Sequence, residues 1–511
     1  MSIYKFLKRF RVVISLLVLM AITYFFMAIR VQGEQYLSLL LKIQFVPAFL
    51  SAFAASFVAL TLLLLLTLLL GRVYCSLLCP MGAFQDVVIR LSNFFKTKKQ
   101  KRFHYAKETR WLRYSLLALA MVAAIAGFTL PLLLLDPYSN FGRMASHLFQ
   151  PVAYAVNNGL HYLLPNTVYY QSYIAGTALG FLLPIAIFLT VVGMSALKGR
   201  LFCNTICPVG SFLGLISKFA ACKLTVDKEA CNHCGLCELS CKAQCISSKL
   251  QLVDHSRCVG CLNCTLACKQ NAMKYSFSWS KKRCKMPATA PASALARRTF
   301  LASAGAMAGA AAIYRIAGGK PLTSASPGTT IAPPGARSHA HLKEFCTACQ
   351  ACVAACPTHI IKPTFTGYGT DGWMLPEITF NRGFCSYDCN RCTQVCPSMA
   401  LERIPLEEKK LTQIGKAHFI GRHCVVLREG TDCGACDEHC PTKAVHMVPF
   451  GNKGLRRPVI DVEQCIGCGA CEYICPTSPK AITVQAQAIH TTATPPSINQ
   501  QEQVQVSDFG F

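Results

Sequence analysis

Charged residues are scarce in this sequence. They make up 15% of the 511 residues, and acidic residues number only 24. Soluble domains usually contain about 25% charged residues, so the composition argues against a wholly soluble chain. The motif C-x-x-C-H is absent, which excludes covalent c-type haem. No phosphate-binding loop or Ser/His/Asp arrangement indicates an enzyme with its own small-molecule substrate. What is abundant is hydrophobic residues, at 52%, and cysteine, with 31 copies.

Four apolar stretches are long enough to cross a membrane. They are residues 12–29, 47–70, 112–135 and 173–197. Cytoplasmic loops carry an excess of lysine and arginine. The N-terminus and the loop 71–111 are basic, whereas the loop 136–172 has a single basic residue, Arg143. We therefore predict an α-helical membrane bundle of four spans with a cytoplasmic N-terminus.

A fourteen-residue motif occurs twice in this apolar part. GRVYCSLLCPMGAF (71–84) recurs as GRLFCNTICPVGSF (199–212). Each copy follows a predicted helical pair, which indicates an internal duplication. A pseudo-twofold axis would bring four thiols together, with each C-x3-C pair on one helix face. These candidate ligands of an additional metal or redox site are Cys75, Cys79, Cys203 and Cys207. The alternative is that they pack helix ends as small apolar residues.

The first cysteine-rich block, residues 231–268, contains the spacing C-x2-C-x2-C-x3-C twice. This is the spacing of bacterial ferredoxins, in which the fourth cysteine of each run ligates the other run's [4Fe-4S] cluster. The predicted ligand sets are Cys231, Cys234 and Cys237 with Cys268, and Cys258, Cys261 and Cys264 with Cys241. Cys245 is the alternative to Cys241, while Cys222 and Cys284 fit no run.

The second cysteine-rich block contains four runs, each ending in Cys-Pro. Their cysteines are Cys346, Cys349, Cys352 and Cys356; Cys385, Cys389, Cys392 and Cys396; Cys424, Cys433, Cys436 and Cys440; and Cys465, Cys468, Cys471 and Cys475. Sixteen thiols in such runs predict four further [4Fe-4S] clusters, six in total. The long insertions favour nested pairing, the first run with the fourth and the second with the third. Sequential pairing is the alternative.

The net charge of +27 would also be typical of a nucleic-acid-binding protein. Basic cytoplasmic loops account for part of this charge. Six clusters, each formally about −2 with its four thiolates, would reduce it to roughly +15. We therefore predict a membrane protein with no nucleic-acid partner.

An internal stretch resembles an export signal. RRTFLASAGAMAGAAAIY (297–314) begins with Arg297 and Arg298 and continues with small, mildly apolar residues, as in twin-arginine signals. Such a signal would put the last third of the chain in the periplasm; the alternative is a linker helix. The predicted domains are 1–220 (membrane), 221–285 (two-cluster ferredoxin), 286–341 (signal-like segment and linker), 342–485 (four-cluster ferredoxin) and 486–511 (disordered tail).

These motifs resemble two known families. Residues 1–285, with paired C-x3-C-P elements and a double ferredoxin run, are similar to the NapH family of quinol-linked membrane iron–sulfur proteins. Residues 295–485 are similar to the NapG/MauM family of exported ferredoxins. The resemblance implies a fusion of the two, with the membrane bundle of four spans, or five if the signal is retained, joined to α+β ferredoxin-like domains.

Electron transfer is the function that the resemblance implies. The chain would sit in a bacterial inner membrane and relay electrons between the quinol pool and a periplasmic reductase or multihaem cytochrome. The first ferredoxin domain would be cytoplasmic and residues 342–485 periplasmic. The alternative is a maturation or regulatory role for a copper or molybdenum oxidoreductase. His147 and His161 are interpreted as ordinary loop or interface histidines.

Overall fold

The computed structural model describes nine segments of the chain. They are residues 2–27, 34–51, 57–97, 102–126, 129–170, 178–277, 330–369, 372–451 and 454–495. The signal-like stretch with Arg297 and Arg298, and Cys284, lie outside these residues. The described chain is helical up to Ser217, and beyond that it consists of short helices and two-stranded antiparallel sheets.

The helical part is built from helices of very different lengths. They are α1 Ser2–Met27, α2 Glu34–Lys42, α3 Phe45–Leu50, α4 Phe57–Leu70, α5 Tyr74–Leu77, α6 Pro80–Ser92, α7 Arg110–Ile125, α8 Leu130–Leu135, α9 Pro137–Met144, a π-helical turn Ala145–Phe149, α10 Gln150–Leu163, α11 Ala178–Lys198, α12 Leu201–Thr205 and α13 Pro208–Ser217. Proline occupies the first turn of α6, α9 and α13, where its missing N–H has no helical partner to lose.

Two helices in the described residues are long and apolar enough to cross a membrane. They are Ile3–Met27 and Gly180–Lys198, which overlap the first and fourth predicted spans. In the stretches predicted as the second and third spans, the described residues form α3 and α4, and α7 and α8. Pro131 lies in the first turn of α8, where proline is tolerated.

The remaining elements form the two cysteine-rich blocks. Their helices are α14 Leu236–Leu239, α15 Asn263–Ala267, α16 His339–Phe345, α17 Ala351–Ala355, α18 Arg391–Val395, α19 Leu406–Leu411, a 3-10 turn Gly421–His423, α20 Val425–Glu429, α21 Ala435–Glu438 and α22 Ala470–Ile474. Their strands are β1 Cys222–Val226, β2 Ile246–Ser247, β3 Leu252–Val253, β4 Met273–Phe277, β5 Ile361–Thr364, β6 Leu375–Ile378, β7 Thr412–Phe419, β8 Val445–Phe450, β9 Leu455–Ile460 and β10 Ile482–Thr492. The sheets pair β1 with β4, β2 with β3, β5 with β6, β8 with β9 and β7 with β10.

Two predicted domain boundaries fall inside folded structure. Strand β10 pairs with β7 beyond residue 485, as far as Thr492. Ile331, in the predicted linker, is buried and forms a bridge with Ile378. The second block therefore extends in both directions past 342–485, because backbone pairing includes residues whose composition suggested a linker and a tail.

The two blocks pack against opposite ends of α1. Near its start, the hydroxyl of Tyr4 accepts a hydrogen bond of 3.2 Å from the backbone N–H of Tyr275 in the first block. At its other end, Phe26 shares one buried core with Cys349 of the second block. The helix has 26 residues, which at 1.5 Å per residue is about 39 Å. The helical part therefore holds the blocks apart.

Candidate iron–sulfur centres

The first block assembles two groups of four thiols. Cys231, Cys234, Cys237 and Cys268 line one cavity. In the other group, Cys264 is in electrostatic contact with Cys258, Cys261 and Cys241. Both groupings match the ligand sets predicted from sequence, with the fourth cysteine of each run lying beside the three of the other.

Cys245 is a fifth thiol beside the second of these groups. Its sulfur lies 3.5 Å from that of Cys241, and it also contacts Cys258. The hydrogen bond between the two sulfurs lowers the pKa of Cys241. Cys241 is also in electrostatic contact with Cys261 and Cys264, and this position favours it as the ligand.

The second block pairs its runs sequentially, and the nested pairing is wrong. Cys346, Cys349, Cys352 and Cys396 line one cavity, and Cys424, Cys433, Cys436 and Cys475 line another. Cys392 is in electrostatic contact with Cys356, Cys385 and Cys389, as is Cys471 with Cys440, Cys465 and Cys468. The insertion between the first two runs is the hairpin of β5 and β6, which separates two adjacent runs just as β2 and β3 do in the first block.

The backbone of four of the six runs shares a turn that suits a cluster. The residue before the short helix adopts a left-handed conformation at Gly235, Leu262, Gln350 and Gly469. This turn directs backbone N–H groups at sulfur, as from Ala351 to Cys349. Burial raises the pKa of Cys349 to about 11, so a metal must displace a proton there. Four convergent thiols with N–H donors fit a [4Fe-4S] cluster, which supplies reversible one-electron chemistry when bound.

Two double variants test the pairing. Cys346→Ser with Cys396→Ser removes two ligands of one site and is expected to eliminate one cluster. Cys346→Ser with Cys356→Ser removes one ligand from each of two sites and is expected to eliminate two. Iron and acid-labile sulfide of the anaerobically purified full chain measure the difference. If both variants lose two clusters, the result would support nested pairing instead.

The repeated motif of the helical part also brings its four thiols together. Cys75, Cys79, Cys203 and Cys207 are all buried in one core, and Cys207 is in electrostatic contact with the other three. Each copy is completed by the other copy's arginine. Arg72 donates to the carbonyl of Cys203 at 3.1 Å, and Arg200 donates to the carbonyl of Cys75 at 2.9 Å. The predicted pseudo-twofold convergence is therefore present in the structure.

Sequence reasoning missed the role of these arginines, although the Gly-Arg pair opens both copies of the motif. Arg200 also binds Asp86, with Nε and Oδ1 2.9 Å apart. Burial acts to raise the pKa of Asp86, but Arg200 and Lys242 together lower it well below its ordinary value. Asp86 is therefore an anion that links the second copy of the motif to the first cysteine-rich block through Lys242, 3.3 Å away.

The second block docks on the loop between the third and fourth predicted spans. Arg143, fully buried in α9, donates to the carbonyls of Ala348 (3.1 Å) and Leu133 (2.9 Å). His147 bonds to Gln350 at 2.7 Å, so it is an interface histidine as predicted. These contacts place the site of Cys349 directly beside the helical part.

A cavity of about 470 Å³ lies between α1 and α6, next to the first block. Its apolar wall includes Val12, Leu16 and Val87, and its polar end includes Arg11, Asp86 and Lys242. Asn263, adjacent to the candidate ligand Cys264, also lines it. The cavity can therefore hold a mainly apolar molecule with a polar headgroup near a cluster site.

Two family models match parts of the chain. A 4Fe-4S binding domain matches residues 52–102 and 181–226, which contain the two C-x3-C-P elements. A 4Fe-4S dicluster domain matches 345–425, which contains the first two runs, and 431–478, which contains the fourth run and all of the third except Cys424. The chain therefore carries 4Fe-4S binding sequences in both its helical part and its second cysteine-rich block. No solved structure shows significant similarity to it.

Three relatives illustrate the similarity. An uncharacterized protein of Methanocaldococcus jannaschii is 27% identical over 40% of this chain and 65% of its own length. The methylamine utilization ferredoxin-type protein MauN of Paracoccus denitrificans is 27% identical over 34% of this chain and 48% of its own. The putative electron transport protein YccM of Escherichia coli is 26% identical over 41% and 52%. The chain thus spans about half to two thirds of these relatives.

Proposed function

We propose that the chain relays electrons between the quinol pool and a periplasmic reductase or multihaem cytochrome. Six [4Fe-4S] sites, two in the first block and four in the second, would carry single electrons. The observation that supports this proposal best is the attachment of the two blocks to opposite ends of α1. That helix, about 39 Å long, exceeds the roughly 30 Å hydrocarbon core of a bilayer.

A membrane bundle of four spans is part of the proposal. α1 and α11 meet the length and apolarity of single spans, and the stretches 47–70 and 112–135 would complete the bundle. The basic N-terminus lies beside the first block, whereas the second block docks on the poorly basic loop 136–172. The positive-inside rule then puts the first block in the cytoplasm and the second in the periplasm of a bacterial inner membrane.

Export of the second block is proposed to use the twin-arginine motif at Arg297 and Arg298. That pathway moves folded domains, which suits clusters inserted before export. Unmetallated thiols in an oxidising periplasm would form disulfides instead. The fusion of NapH-type and NapG/MauM-type parts remains the interpretation that accounts for both blocks.

Quinol is proposed to bind in the cavity between α1 and α6. The apolar wall suits an isoprenoid tail, and the polar end at Arg11 and Lys242 suits a quinol oxygen. Oxidation of the quinol to quinone would release two electrons and two protons. A cluster held by Cys258, Cys261, Cys264 and Cys241 would take the electrons one at a time, passing the first onward before accepting the second, and the protons would leave to solvent.

Filling the cavity tests this function. Val12→Trp puts an indole into the cavity, whereas Val13→Trp places one on the exposed neighbouring face, where Val13 is 54% exposed. We expect Val12→Trp to slow quinol-dependent cluster reduction at least about tenfold, because a ligand site is occupied, and Val13→Trp to leave it unchanged. Reduction is followed by bleaching of cluster absorbance in nanodiscs, with dithionite as the control reductant. The proposed function is wrong if quinol does not reduce the clusters of the wild-type protein and quinone does not oxidise them after dithionite treatment.

A further inference from the structure

We propose that Cys75, Cys79, Cys203 and Cys207 together bind one more iron–sulfur cluster, which passes electrons between the two cysteine-rich blocks. The proposal that these four thiols bind a cluster depends only on the geometry and sequence of the helical part. The relay rests on the proposed function, which leaves a membrane-thick gap between the blocks. The site lies in the core that fills this gap.

The thiols have the surroundings of cluster ligands. All four are at most 4% exposed. Cys79 and Cys207 immediately precede the prolines that begin α6 and α13. In the second copy, the N–H of Gly210 donates to the sulfur of Cys207 at 3.2 Å, and Gly82 makes the equivalent contact to Cys79. Backbone N–H groups directed at sulfur stabilise metal-bound thiolates.

Charge provides an independent argument. Arg72 is 1% exposed, and among the described residues no carboxylate lies within ion-pair distance of it. Its partners are Asn204, the carbonyls of Ser256 and Cys203, and the sulfur of Cys75 at 3.9 Å. An uncompensated buried cation is strongly destabilising. A cluster with four thiolates, formally about −2, would supply the missing negative charge.

The sequence match favours a cluster over a single ion. The model of a 4Fe-4S binding domain covers residues 52–102 and 181–226, which contain all four thiols. A single zinc in four thiolates is the alternative, and it would bring no sulfide.

The position of the four thiols connects the two blocks. One continuous buried core contains all four, together with Cys261 of the first block and Cys349 of the second. On the first side, Arg72 binds the carbonyl of Ser256, two residues before Cys258. On the second side, Cys79 is in electrostatic contact with Asp136, which caps the helix whose Tyr138 lies beside Cys349.

The first experiment measures the cofactor itself. The full chain is purified anaerobically as wild type, as Cys79→Ser with Cys207→Ser, and as Cys222→Ser, a control cysteine outside every run. We expect the double variant to lose about two to four iron atoms and matching sulfide per chain, with the control unchanged. The electron paramagnetic resonance signals of the ferredoxin sites must persist, which shows that the variant folds. Unchanged iron in the double variant, with those signals retained, would overturn the site.

The second experiment measures the relay. Dithionite, which does not cross bilayers, is added outside proteoliposomes. Wild-type cluster absorbance is expected to bleach completely, whereas bleaching of the double variant stops partway until detergent is added. Complete bleaching of the variant without detergent would overturn the relay. Quinol-dependent reduction of the first block needs no bridge, so the Val12→Trp and Val13→Trp pair reports separately on the proposed function.

Discussion

Replacing Gly82 by alanine is expected to prevent stable folding of the helical part. A Cβ at this position would lie 2.0 Å from the carbonyl oxygen of Cys75, which is backbone and cannot rotate away. The same carbonyl accepts the hydrogen bond from buried Arg200, so displacing it would also leave a guanidinium donor without its partner. Overpacking a core typically costs 1–3 kcal/mol, and losing this hydrogen bond adds further destabilisation. We expect a total of roughly 3 kcal/mol or more.

The full chain in detergent is heated, and the fraction that remains monodisperse is measured by size exclusion. Gly193→Ala is the matched control, because its Cβ would meet nothing within 4 Å and alanine is a better helix former. Gly210→Ala should behave like Gly82→Ala, since its Cβ would lie 2.2 Å from the carbonyl of Cys203. A midpoint for Gly82→Ala equal to that of Gly193→Ala would contradict the packing described here.

Replacing Arg143 by methionine is expected to lower the reduction potential of the site formed by Cys346, Cys349, Cys352 and Cys396. Arg143 is buried and interacts electrostatically with Cys349 and Cys346. Burial lowers its pKa to about 10, so the guanidinium is charged at neutral pH. A positive charge favours the more negative, reduced cluster. At an effective dielectric constant of about 20, a unit charge several ångströms away contributes on the order of 2 kcal/mol. For one electron this is roughly 50–100 mV.

The potential is measured by titration followed with electron paramagnetic resonance on the full chain. Arg143→Lys separates charge from hydrogen bonding, because lysine keeps the charge but loses the planar fork that reaches several carbonyls. We expect Lys to restore most of the potential while still weakening the docking of the second block. If the Met and Lys variants shift the potential equally, the loss of hydrogen bonds rather than charge sets it.

Cysteine spacing carried most of the predictive power for the candidate centres. The groupings of the first block follow from the run alone, because the fourth cysteine must reach the other site. Nested pairing in the second block failed because insertion length was interpreted as separation in space. The insertion between Cys356 and Cys385 instead forms the hairpin of β5 and β6, which returns the chain to its starting point. In the first block, the hairpin of β2 and β3 likewise separates two runs that share their sites. That comparison would have favoured sequential pairing in the second block.

Other features depend on contacts that no local pattern encodes. From the sequence, Arg72 and Arg200 would be interpreted as basic residues of cytoplasmic loops, because lysine and arginine near a predicted span normally lie on the cytoplasmic side. In the structure both are buried, since each finds carbonyl acceptors in the opposite copy of the motif. Likewise, Arg143 was the single basic residue of a loop, and one of its carbonyl partners, Ala348, lies 205 residues later in the chain.

The exchange of arginines between the two motif copies has a consequence for the symmetry of the helical part. A shorter chain with a single copy would leave its arginine without the acceptor and its first cysteine without the donor. A second, identical chain related by a twofold axis would supply both, since such interfaces are self-complementary. The two thiols of one copy would likewise make half a ligand set. The helical part therefore contains, within one polypeptide, the kind of self-complementary interface that a homodimer forms between two chains.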